Sequence, residues 1–157
     1  MAANRQHLHE YALAEHLGRC QRSWKMAADA ELAPLGLTHP RWTALWKLHR
    51  MGDGVSQKLL AESLEIELPS LMRTLGQLEQ QGLVVRVHCD QDKRARLVML
   101  TDAGRQLIDQ LASRIVTVRA ELLANISDEH LQIFENVLDK ITVAAQQKLT
   151  ELKQKDV

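Results

Sequence analysis

Apolar residues recur every third or fourth position along most of this chain, with one short stretch where the period drops to two. Tyr11 to Leu32 reads as a helix that is entered from a polar N-terminal tail and ended by Pro34 and Gly36. Pro40 to Met51 reads as a second, with Trp42, Leu45, Trp46 and His49 on one side and Gly52, Asp53 and Gly54 closing it. Ser56 caps a short helix running to Leu64, whose apolar side is Leu59, Leu60 and Leu64. After a break at Glu65 to Leu68, Pro69 stands in the first turn of another helix, where a missing N–H leaves no intrahelical bond unmade, and Gly82 stops it. Leu83 to His88 and Arg96 to Leu100 are β-branched and apolar enough to be strands, joined by the polar Cys89 to Ala95. Asp102 to Asn125 then returns to helical spacing with Leu107, Ile108, Leu111, Ile115, Val118 and Leu122. Ser127 caps a last helix, with Asp128 and Glu129 in its first turn, that runs to about Lys153. The expected fold class is mostly α with a small β-hairpin.

Two short helices joined by a tight turn make a helix-turn-helix, and the hairpin after them carries charge at its tip. At about 100° per residue, Leu71, Leu75 and Leu78 share one side of the second helix, while Pro69, Ser70, Arg73, Gln77 and Gln80 share the other. Hydroxyl, guanidinium and amide groups are the side chains that hydrogen-bond base edges and phosphates in a major groove. Alone, such a helix is better read as an ordinary amphipathic one with a solvated face. The hairpin changes that reading, because Asp90, Asp92, Lys93, Arg94 and Arg96 crowd its tip and Arg86 lies on its first strand. An arginine there can enter a narrow minor groove, and Asp92 is placed to aim Arg94 through a charge-assisted hydrogen bond.

The run PSLMRTLGQLEQQGLV, then DKRAR, then LVMLTDAGR resembles the MarR family of winged-helix transcription regulators. Asp92 and Arg94 match its D-x-R wing, and Leu100, Thr101 and Gly104 match its L-T-x-x-G. PSLMRTLGQLE, with RSWK at Arg22 to Lys25 and LTHPRW at Leu37 to Trp42, is similar to the SlyA branch. The resemblance implies a single domain over 1–157. Its winged helix-turn-helix DNA-binding lobe would span about 37–101, with dimerisation helices at about 8–33 and 102–153. It implies a homodimeric transcription regulator on pseudo-palindromic, A/T-rich double-stranded DNA. DNA contacts are then expected from Pro69, Ser70, Arg73, Gln77, Arg86, Asp92, Lys93, Arg94 and Arg96. By position, Arg22, Lys25, Trp42, Trp46 and Thr74 would line a crevice for a small aromatic carboxylate such as salicylate; Trp46 stands where the branch often has histidine, and Lys25 replaces an arginine, losing its two-pronged fork. The same tryptophans are equally well read as core.

The last helix supports the dimer independently. Its stripe of Leu131, Phe134, Val137, Leu138, Ile141, Ala145 and Leu149 is longer than a compact lobe can cover, and calls for a second chain. Leu8, Ala12 and Leu13 extend the expected interface.

Composition bounds what else the protein can be. At 157 residues there is one domain's worth of chain, without a long apolar run or a basic-then-apolar leader, so a cytoplasmic protein with no membrane partner is expected. The net charge of zero is unusual for a nucleic-acid binder. Between Arg73 and Arg105, however, Arg73, Arg86, Lys93, Arg94, Arg96 and Arg105 outnumber Glu79, Asp90, Asp92 and Asp102, and affinity for phosphate follows the local footprint. No glycine-rich phosphate loop, H-E-x-x-H or Cys–His pairing is present, so neither an enzyme nor a cofactor or metal site is expected. Cys20 and Cys89 form no C-x-x-C. Cys20, flanked by Arg19 and Arg22, leaves a redox-sensing regulator as one alternative. A winged-helix dimer that serves only protein–protein assembly is another, although Ser70, Arg73 and Gln77 argue against it.

Overall fold

The computed structural model describes residues 2–52, 54–92 and 94–155, with side chains from Ala12 onward. Two compact units divide the chain, the first ending at Ala120 and the second beginning at Glu121. In chain order the first holds α1 (Ala2–Leu32), a single 3-10 turn (Ala33–Leu35), α2 (His39–Met51), β1 (Val55–Ser56), α3 (Gln57–Leu64), α4 (Leu68–Gln80), β2 (Val84–His88) and β3 (Arg96–Leu100). It also holds most of α5 (Asp102–Leu123). The second contains α6 (Asp128–Lys155).

Local chemistry sets the boundaries. Gly36, at φ 71°, ends the turn after α1, and Pro40 lies in the first turn of α2. The Ser56 hydroxyl accepts from the Leu59 N–H at 3.1 Å, the capping bond expected of it. Glu65 ends α3 in the left-handed region at φ 55°, the one non-glycine residue with positive φ among those described. At the end of α4 the Gly82 N–H reaches the Glu79 carbonyl at 2.9 Å and the Leu83 N–H reaches Leu78 at 2.9 Å. With Gly82 at φ 70° this is a Schellman termination, and Leu78 and Leu83 meet in the core beneath it.

Three expectations needed revision. The first helix begins at Ala2, not Tyr11, because the early residues are mostly good helix formers and no proline or glycine interrupts them. The hairpin is part of a three-stranded antiparallel sheet in the order β1-β3-β2, with Val55 opposite Val98. Two residues show no alternation of their own, so β1 is defined only by the partner it meets. Leu59 is exposed on α3, where Leu60 and Ala61 are buried and Leu64 packs against the core.

The core gathers Leu45 and Leu48 of α2, Leu60 of α3, Leu71, Leu75 and Leu78 of α4, Val84 and Val98 of the sheet, and Ile108 and Leu111 of α5, all nearly inaccessible. Leu32 at the end of α1 joins it. By contrast α6 buries no residue in the single chain, although Phe134, Val137, Ile141 and Leu149 stand on it. No helix among the described residues is long and apolar enough to cross a membrane.

The L-T-x-x-G segment joins wing and helix. The Thr101 N–H donates to the Leu83 carbonyl at 3.1 Å, and its hydroxyl donates to the Gly82 carbonyl at 2.6 Å and accepts from the Gly104 N–H at 3.0 Å. A Cβ on Gly104 would lie 2.1 Å from the Leu83 oxygen, a backbone atom that cannot swing aside. Gly104→Ala is therefore expected to destabilise the fold by about 2 kcal/mol or more in chemical denaturation. A variant as stable as the parent would show that the two segments separate at little cost.

Candidate nucleic-acid interface

The seam Leu71, Thr74, Leu75 and Leu78 pins α4 against the core, which turns Ser70, Arg73, Gln77 and Gln80 outward. All four are exposed, as is Pro69. Leu68 and Pro69 form the first turn of the helix, so these groups stand on a rigid element from its start.

The wing is built from the β2–β3 pairing, in register from Val84 opposite Leu100 to His88 opposite Arg96. At its tip Asp92 does not aim the Arg94 guanidinium. Its carboxylate accepts from the Arg94 backbone N–H at 2.9 Å, and its carbonyl from the Ala95 N–H at 3.0 Å. A short side chain two residues upstream reaches the backbone of the turn more readily than the end of an arginine. Asp92 thus shapes the turn, and Arg94 and Arg96 are exposed on it. Lys93 lies outside the described residues.

Arg86 also differs from expectation. Glu79 accepts from the Arg86 backbone N–H at 3.1 Å, from Nε at 3.0 Å and from a terminal guanidinium nitrogen at 2.5 Å. The Arg86 side chain is only 17 % exposed, and it joins α4 to β2 instead of meeting solvent. The two partners are seven residues apart in the chain, and the termination of α4 at Gly82 folds β2 back so that they meet. The Arg86 hydrogen bonds hold the Glu79 carboxyl below its ordinary value, against burial that pushes it up, with the charges of Arg86 and Arg96 assisting.

The residues expected around an aromatic carboxylate do not converge. A small apolar pocket of about 80 Å³ is lined by Trp24, Ala28 and Leu32 of α1, Trp42 of α2, and Ile115, Val118 and Arg119 of α5. Of the expected five, only Trp42 is there. Thr74 is buried in the seam and donates to the Ser70 carbonyl at 3.2 Å, and Trp46 packs against the core. Arg22 is exposed on α1. Lys25 pairs with Asp29 at 3.3 Å, and Asp29 also accepts from Trp42 Nε1 at 2.8 Å and His39 Nδ1 at 2.7 Å. Burial pushes the Asp29 carboxyl up, but these donors outweigh it and hold it below the usual value. Trp24, Ala28 and Leu32 recur at intervals of four, a face legible in the sequence; that α5 brings Arg119 opposite was not. Cys20 is exposed, Cys89 is half-buried, and both are free thiols.

A helix-turn-helix with an exposed polar second helix, followed by a hairpin with an arginine-bearing tip, defines a winged helix-turn-helix protein. A MarR family model matches residues 35–95. The transcriptional regulator PA3341 is 32% identical, with 86% of this chain and 98% of that one covered at a TM-score of 0.80. The chain belongs to the MarR family of transcriptional regulators. A cysteine-to-serine mutant of MarR from E. coli complexed with operator DNA is 24% identical, covering 83% of this chain and 93% of that one at a TM-score of 0.77. CouR from Rhodococcus jostii RHA1, bound to p-coumaroyl-CoA, is 25% identical, covering 82% and 90% at a TM-score of 0.74.

The clamp between Glu79 and Arg86 gives a pH signature. A carboxyl whose folded pKa is depressed contributes stability that is complete above its unfolded value, here 4.5, and is lost as pH falls through the lower folded value. Glu79→Gln should lower Tm at pH 7, and the gap to the parent should close as pH is taken below about 4. A gap that stays constant down to pH 3 would show that the carboxylate charge is not what holds the two elements.

Proposed function

We propose that this protein regulates transcription as a homodimer that binds pseudo-palindromic, A/T-rich double-stranded DNA. The observation that carries the reading is the outward set Ser70, Arg73 and Gln77 on α4 beside Arg94 and Arg96 on the wing. In this reading α4 enters the major groove, Pro69, Ser70, Arg73 and Gln77 meet base edges and phosphates, and Arg94 reaches the minor groove with Lys93 and Arg96 near the backbone. Asp92 acts through the shape of the turn. That the E. coli relative is complexed with operator DNA supports DNA binding.

The proposed dimer brings together the whole chain as one functional unit, with the lobe at about 37–101 and the dimerisation helices at about 8–33 and 102–153. Its support is the α6 stripe. Phe134, Ile141 and Leu149 are exposed, Leu131 and Leu138 half-exposed, and a second chain would cover them. Ala12 is half-exposed on α1, whereas the Leu8 side chain lies outside the described residues. A small aromatic carboxylate such as salicylate is proposed as a modulator at the Trp42 pocket, with Arg119, and not Lys25, supplying the cation. At about 80 Å³ the pocket suits only a small ligand.

One set of binding measurements tests this reading. Arg94→Ala should weaken binding to an A/T-rich duplex by about tenfold and flatten its dependence on salt, since one phosphate-directed cation is lost. Leu138→Asp with Ile141→Asp should give monomers in sedimentation and abolish tight binding. Salicylate should quench tryptophan fluorescence saturably and weaken DNA binding by the same factor as DNA weakens salicylate. Affinity and salt slope unchanged in folded Arg94→Ala would remove the wing from the interface. A double variant that remains a DNA-binding dimer would move the dimer contact away from α6.

A further inference from the structure

The exposed side of α4 is not wholly polar. Leu68, Met72 and Gly76 stand four residues apart and so follow one another along one side of the helix, next to Arg73. Leu68 is 37% and Met72 45% exposed. Between Pro69 and Gln80 the only carboxylate is Glu79, and Arg86 holds it.

Gly76 is the second observation. It sits inside the helix without a positive φ, and a Cβ built on it meets nothing within 4 Å. Glycine weakens a helix relative to alanine, and nothing in the fold requires it here. A residue that costs helix stability and relieves no internal contact makes sense where something from outside approaches the backbone.

We propose that Met72, with Leu68 before it, reads the C5-methyl groups of thymines in the major groove, and that Gly76 lets α4 seat deeply enough for that contact. This rests on the DNA-binding reading above. Leu68 and Met72 lie in the first half of α4, the part of a recognition helix that meets base edges. The thymine methyl is the one apolar group that base pairs present in that groove, and it marks A·T pairs. Two exposed apolar side chains beside an arginine fit a surface that alternates methyls with acceptors.

The test replaces thymine with deoxyuridine in a duplex that the full-length protein has itself selected from a random-sequence pool. This removes the major-groove methyl and leaves the minor-groove acceptors in place. The all-uridine duplex should bind at least about fivefold more weakly, as loss of one or two buried methyls predicts. Met72→Ala should bring that ratio to within about twofold of unity while keeping its salt dependence. Gly76→Ala should raise Tm by about 2 °C and yet weaken binding by fivefold or more. Equal affinity for both duplexes, with salt-sensitive binding intact, would overturn the methyl reading and leave DNA binding standing. A ratio unchanged in Met72→Ala would overturn the assignment to Met72, and Gly76→Ala binding like the parent would overturn the close approach. If no duplex is enriched, the DNA-binding reading falls and this inference falls with it.

Discussion

The carbonyl of Leu83 is the point on which the lobe is assembled. It sits three residues past the end of α4 and one before β2, it accepts the Thr101 N–H, and it lies where any side chain on Gly104 would have to be. The end of α4, the root of the wing and the first turn of α5 are therefore fixed against one another within a few ångströms. Backbone groups make this junction, and backbone cannot rearrange as a side chain does. A displacement of α5 in the lobe would have to carry α4 and the wing with it or break these bonds.

A second link lies on the core-facing side of the sheet, where Arg86 follows Val84 at the strand period. Glu79 and Arg86 tie α4 to β2 through three hydrogen bonds, so the last turn of the helix is held as well as the segment beyond it. This divides the basic residues into two kinds. Arg86 is spent on architecture, as is Arg114, which reaches the Glu31 carbonyl and carboxylate of α1 at 3.2 and 3.3 Å. Arg73, Arg94 and Arg96 are exposed. Each such pair removes one acid with one base and leaves the total at zero, so a basic surface depends on where the remaining charges lie: Arg73 is exposed on α4, and Glu79, the one carboxylate between Pro69 and Gln80, is held by Arg86.

On α1 and α2 the same economy appears around Asp29, which gathers Lys25, His39 and the Trp42 indole. The orientation of Trp42 is thus set by a hydrogen bond to α1, and its ring contributes one wall of the pocket. The Trp42 side chain thereby couples α1 to α2 at the edge of that space.

The order of elements, the Ser56 cap, the Gly82 stop and the outward set of α4 were legible because each depends on residues within a few positions of one another. Helical and strand periods, capping and turn chemistry are local, and the L-T-x-x-G spacing carried the family by resemblance. Lys25 with Asp29, four residues on in the same helix, and Asp92 with the Arg94 N–H are local pairs, whereas the clamp between Glu79 and Arg86, the gathering of His39 and Trp42 on Asp29, the third strand at Val55 and the lining of the pocket were decided by tertiary structure. Each of the latter depends on which groups are brought together across strand pairing or helix packing, distances that a linear pattern does not encode. Thr74 shows the limit most simply: its place in the sequence pointed to a crevice, whereas the packing of α4 put it in the core with its hydroxyl on its own helix. A side chain's type fixed what it could bond; the fold decided which partner came within reach.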